Sequence, residues 1–147
     1  MIRPAQMHDA DAVRDIVHAA YCHYIARIGK EPGPMLDDYA RRITDGQTWV
    51  LEDAGRILGI LVLEDRPDSL LLDNIAVAPD AQGSGHGRTL MVFAESEARR
   101  RGYTDIWLYT HALMTENQVL YRRLGYVETA RITEKGFDRV YMTKTLA

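Results

Sequence analysis

The stretch AVAPDAQGSGHGRTLMVF, residues 76–93, decides the reading of this chain. It sets Gly83, Gly85 and Gly87 at alternate positions between an apolar run and an amphipathic run. Upstream, SLLLDNIAVAP is almost continuously hydrophobic, broken only by Asp73 and Asn74, which is the pattern of a central strand covered on both faces. Downstream, Leu90, Met91, Ala94 and Ala98 mark one face of a helix that ends near Gly102. Glycines between a strand and a helix let backbone N–H groups approach an anion where the helix dipole also attracts it, so phosphate is the expected guest. The two common nucleotide motifs do not fit. In a Rossmann fingerprint the third glycine would stand where Arg88 is, and neither Gly83 nor Gly85 is followed at P-loop spacing by Lys and Ser or Thr.

Working outward, Val13, Ile16, Val17, Ala20, Tyr21, Tyr24, Ile25 and Ile28 keep helical spacing and predict one half-buried helix ending at Gly29. Asp9 and Asp11 suit its electropositive N-terminus. KEPGPM reads as a loop leading into a shorter helix, LDDYARRI, with Asp37 as a plausible N-cap. TWVLED and RILGILVLED read as an antiparallel hairpin turned at DAG, and TDIWLYTH as a further strand. Thr115 and Gln118 have capping-box spacing for the next helix, and Gly125 lies where a C-terminal glycine belongs. YVETARI and DRVYMTKTL, separated by Gly136, read as a closing hairpin.

The 147 residues are the size of one domain, taken as 1–147, and the net charge of -3 leaves no basic excess for nucleic acid. The longest apolar run, ILGILVL, is too short to cross a bilayer, and MIRPAQMHDADAV shows neither a basic leader nor a cleavage site. No membrane association and a cytoplasmic location are expected. The lone Cys22 cannot form an internal disulfide and, within a helical pattern, is expected to be buried. The five histidines lack metal-ligand spacing, so no metal is expected.

Gln82, Gly85 and Gly87 form Q-x-x-G-x-G, preceded by NIAVAP and followed about thirty residues later by YRRLGY. With these three segments in order, the sequence resembles the GNAT superfamily of acyl-CoA-dependent N-acetyltransferases over nearly its whole length. The resemblance implies an α/β fold with a mixed, mostly antiparallel sheet of six to seven strands, about four flanking helices, and a splay between the central strands at the cofactor site. It implies acetyl-CoA as co-substrate. The loop Gln82, Gly83, Ser84, Gly85, His86, Gly87 and Arg88 would cradle the pyrophosphate, the amides from Gly83 through Arg88 donating, while the backbone of Ile75, Ala76 and Val77 would pair with the pantetheine arm. Tyr121 of YRRLGY would be the general acid for the departing thiolate, and an irregular strand would free the Val77 amide for the oxyanion. The family often carries an asparagine seven residues before the tyrosine. Here Met114 stands there, and Asn117, four residues before it, takes the expected cofactor contact.

Where some members carry a glutamate base, this chain has Tyr109. Asp73, interrupting an apolar strand, and His111, with an intrinsic pKa suited to proton transfer, are the two alternatives. The segment YCHYIARIGKEPGPMLDDYARR is expected to shape the acceptor pocket, with Tyr24, Met35 and Tyr39 as walls. Glu31, Asp37 and Asp38 would draw a cationic amine rather than an acidic acceptor. The expected activity is direct transfer of acetyl from acetyl-CoA to a primary amine of a small molecule, amino acid or peptide N-terminus. A homodimer stays open. Two rival readings are a non-catalytic acyl-CoA-binding module and a protein for another phosphate ligand.

Overall fold

The computed structural model describes residues 1–146. Seven strands form one sheet: β1 (Ile2–Pro4), β2 (Thr48–Asp53), β3 (Arg56–Asp65), β4 (Leu70–Val77), β5 (Asp105–His111), β6 (Val127–Glu134) and β7 (Phe137–Thr145). Their order across the sheet is β1-β2-β3-β4-β5-β7-β6, and every neighbouring pair is antiparallel except β4 with β5. The helices are α1 (Ala10–Tyr21), α2 (Tyr24–Ile28), α3 (Tyr39–Thr44), α4 (His86–Arg100) and α5 (Thr115–Arg123). Among the described residues no helix is long and apolar enough to cross a membrane.

The expected central strand is β4, and it is covered on both sides. On one face Val13, Ile16, Val17 and Tyr21 of α1 meet Val50, Ile60, Val62 and Ala76 of the sheet. On the other, Leu90, Met91, Ala94 and Ala98 of α4 meet Leu61, Leu63, Leu70, Leu72, Ile106 and Leu108. Burying these two aliphatic layers removes apolar surface from water and so fixes which way the alternating residues of β4 point.

The parallel pair is brief. Only Leu70↔Ile106 and Leu71↔Trp107 are matched, after which β4 continues with β3 and β5 continues with β7, so the sheet forks. The fork coincides with a bulge. Val62 faces Asn74 while Leu63 faces Leu72, which leaves Asp73 as the extra residue of β4. A bulge bends its strand and shifts the inward-outward alternation by one. The irregularity expected beside Val77 therefore sits four residues earlier, at Asp73.

Four local expectations are corrected. The long first helix is two, because Ile25 N–H turns to the carbonyl of Cys22, three residues back, and the ladder breaks. The break turns Cys22 outward, so it is exposed rather than buried. Asp38, not Asp37, caps α3, accepting from Arg41 N–H, while Asp37 binds Arg42. No capping box forms at α5, where Met114 is the N-cap and Gln118 reaches back to the carbonyls of His111 and Ala112.

Candidate active site

The glycine loop is built to receive an anion. Gly83 and Gly85 have φ of 85° and 84°, a left-handed backbone that a side chain would strain. This lets the chain turn sharply into α4, whose first helical bond runs from Thr89 N–H to Gly85 C=O. The N–H groups of residues 83–88 donate to no acceptor among the described residues. Six amides, the last three opening a helix of 15 residues, thus face solvent with the helix dipole behind them. Ser84 and Arg88 have exposed side chains and contribute only loop backbone to this arrangement.

The same loop forms one end of a cavity of about 440 Å³ that runs along the open edge of β4. Ala78 N–H donates to Leu58 C=O of β3, so the two-residue period turns Ala76 toward β3 and turns Ile75 and Val77 toward the gap left by β5. Their carbonyls are already engaged: Tyr21 Oη donates to Ile75 C=O at 3.1 Å and Gln82 Nε2 to Val77 C=O at 3.1 Å. The N–H groups of Ile75 and Val77 remain as the strand edge. Ala76 is a correction, since its backbone belongs to the β3 pairing, Ile60↔Ala76, and cannot pair with a ligand in the gap.

A second cavity, about 320 Å³, lies on the far side of the fork. Tyr21, Ile75, Asn117 and Tyr121 line both, so the two cavities meet at these side chains. Tyr121 is a helix residue packed against Tyr126, ring centroids 6.1 Å apart, and its hydroxyl makes no hydrogen bond within the described residues. Burial, with a smaller push from Tyr24, holds its pKa well above that of an ordinary phenol, so it is fully protonated at neutral pH. Asn117 lies one turn before it and has only the sulfur of Met114 as a partner, at 3.8 Å.

Asp73, projected by the bulge, lies in the second cavity. Arg42 Nη2 binds its Oδ2 at 3.2 Å and Tyr109 Oη approaches its Oδ1 at 3.5 Å. Burial raises the Asp73 pKa, Arg42 opposes the rise, and Asp37 and Glu64 add to it. His111 lines this cavity too, but its Nδ1 accepts from Leu113 N–H at 3.0 Å. In the neutral ring that bond leaves the proton on Nε2, which then donates and cannot accept. Burial also lowers its pKa. Of the two, Asp73 presents a carboxylate to the cavity, whereas the His111 Nδ1 lone pair is occupied.

The expected acceptor walls are corrected. Tyr24 lies on the donor cavity, and Met35 and Tyr39 are buried in the core beneath α1. Tyr39 instead donates to Pro34 C=O and accepts from Asn74 Nδ2 at 2.9 Å. The neighbouring Pro32, Gly33, Pro34 and Leu36 line the second cavity instead. Two of the three acidic groups expected to draw a cation are engaged: Asp37 is paired with Arg42 and Asp38 caps α3. Sequence reasoning passed over Tyr21, Arg42 and Arg139. Tyr21 was read as core stripe, and Arg42 reaches Asp37, Glu64 and Asp73 only through tertiary contacts.

A forked sheet, an amide cradle at its α4 end and a buried tyrosine at the junction define a class: acetyltransferases of the GNAT fold. The model of the acetyltransferase (GNAT) domain family matches residues 44–128, and the chain belongs to that family. It is 30% identical over 140 residues to the mycothiol acetyltransferase of Cellulomonas flavigena, covering 83% of this chain and 38% of that protein. It is 33% identical over 78 residues to the ribosomal protein bS18-alanine N-acetyltransferase of Escherichia coli, covering 53% of each. The crystal structure of the PaiA N-acetyltransferase from Thermoplasma acidophilum in complex with coenzyme A has the same fold, with a TM-score of 0.78, 17% identity and coverage of 99% and 98%. The chain spans about half or less of the length of the curated relatives it matches.

Proposed function

We propose that residues 1–147 act as one acetyltransferase domain that moves an acetyl group from acetyl-CoA directly to a primary amine, both substrates bound at once. The observation that carries this reading is the meeting of two cavities at Tyr21, Ile75, Asn117 and Tyr121. A covalent enzyme intermediate is unnecessary where donor and acceptor reach one point from opposite sides.

The residues present fit coenzyme A on the donor side. The amides of residues 83–88 suit its pyrophosphate, and the N–H groups of Ile75 and Val77 suit the amide-bearing pantetheine as an added strand. Bound acetyl-CoA would supply a thioester carbonyl and a thiol leaving group. Asp73, its pKa raised by burial, takes the proton of an incoming ammonium, directly or through water, and Arg42 and Tyr109 hold the carboxylate in place. Tyr121 holds a proton at Oη for the departing sulfur. The dry setting that raises the phenol also penalises a thiolate, so the two remain matched for transfer.

Release of CoA thiol from acetyl-CoA, measured over a broad panel of amines, amino acids and peptides, tests the proposal. Turnover with at least one acceptor is expected. Binding of acetyl-CoA without turnover on any of them would instead favour the non-catalytic module.

A further inference from the structure

Resting on the transferase reading, we infer that the acceptor is an amine that also carries a carboxylate, and that Arg139 of β7 receives that carboxylate. Arg139 lines the acceptor cavity opposite the Pro32–Leu36 wall and is paired across the sheet with His111. Its side chain is only 16% exposed, yet its guanidinium donates no hydrogen bond within the described residues. Instead the Cζ atom lies over the Tyr109 ring, 4.4 Å from the centroid. Its one ion-pair contact is with Oε1 of Glu134 at 3.7 Å, beyond hydrogen-bond reach, and that oxygen also accepts from the hydroxyl of Tyr141.

A guanidinium has five N–H donors in a planar fork, and withdrawing it from water without partners is costly. Held over the Tyr109 ring at the cavity wall, it keeps N–H donors that make no hydrogen bond among the described residues, which suits a carboxylate approaching in two-point fashion. The other charges agree. Asp37 and Asp73, the two carboxylates lining the cavity, are both bound by Arg42, whereas Lys135 at the β6–β7 turn is exposed and adds positive potential. Lys30 ties that turn down, donating to Gly136 C=O at 2.5 Å and lying over the Phe137 ring at 4.3 Å. Tyr109 joins the two halves of the recognition: its hydroxyl approaches Asp73 and its ring carries Arg139. The amine end would therefore lie at Asp73 and the anionic end across the tyrosine ring.

The test compares acceptors that differ only in the anion. Rates of CoA release would be measured for free amino acids, for the same compounds as carboxamides, and for peptide amides with Asp or Glu at the second residue. Thermal shifts of CoA-saturated protein would be recorded with the same compounds. Acids should exceed their carboxamides by about tenfold or more in kcat/KM, as expected for hydrogen bonds to a charged group. Arg139→Met should bring that ratio to about one, and Arg139→Lys should retain part of it. Preference for free acids or for acidic peptides tells which carboxylate is read. Equal kcat/KM for acid and carboxamide, with turnover present, would overturn the inference and leave the transferase reading standing. With no turnover on any acceptor the transferase reading fails, and stabilisation by acids but not carboxamides, lost in Arg139→Met, would still uphold the anion site; its absence would overturn it.

Discussion

In the mechanism we propose, Tyr121 and Asp73 divide the proton traffic between them, and each can be tested at its own atom. Removing the Tyr121 hydroxyl while keeping the ring preserves packing against Tyr126 but leaves the sulfur without a donor. Tyr121→Phe should lower kcat by about a hundredfold to ten-thousandfold with little change in CoA affinity, measured by initial rates and direct titration. For Asp73 the sign follows from the role. The base works deprotonated, and burial has raised its pKa above the ordinary carboxylate range of about 4, so kcat/KM should fall as pH drops through that raised value. Asp73→Asn should abolish this acid limb along with most of the rate. An unchanged pH profile in the variant would assign the limb to another group. YRRLGY made Tyr121 a candidate, and the interruption of an apolar strand made Asp73 one. Their settings were not legible there, because burial and the Arg42 contact depend on residues far apart in the chain.

The glycine loop and the bulge of β4 do different work at the level of elements. Gly85 is the N-cap of α4 in the left-handed region, so a methyl group there strains the backbone by about 1–2 kcal/mol. Gly85→Ala should lower the melting temperature by a few degrees and weaken CoA binding more than it weakens folding, since the same turn aims the amides of residues 83–88. Comparing melting shifts with and without CoA separates the two effects. The loop was readable because its demand for glycine is local. The bulge was placed at Val77 from family likeness and lies at Asp73, because register is settled by how β3 and β4 pack their aliphatic faces between α1 and α4. The break between α1 and α2 was missed for a similar reason: the apolar spacing runs through it unbroken, although Ile25 comes out 37% exposed.

For the whole molecule, the fork between β4 and β5 is what turns a stable sheet into a two-sided site. A ligand that fills the donor half should stabilise the fold by mass action, about 2.7 kcal/mol at a hundredfold excess over its Kd. CoA and acetyl-CoA should each raise the melting temperature, whereas NAD and ATP, which lack pantetheine to pair with Ile75 and Val77, should raise it far less. Equal shifts from all four would mean that only the phosphate cradle binds. The sequence by itself determined the order of elements, the glycine turn and the tyrosine of YRRLGY, since these rest on period, spacing and backbone freedom within short windows. Only the tertiary structure decided which carboxylate is buried beside Arg42 and which residues line the second cavity. It also decided that Arg139 lines that cavity without a hydrogen-bond partner among the described residues. Those properties arise where β4, β5, β7 and the loop before α3 converge, and the electrostatics of a side chain follow from what packing leaves beside it.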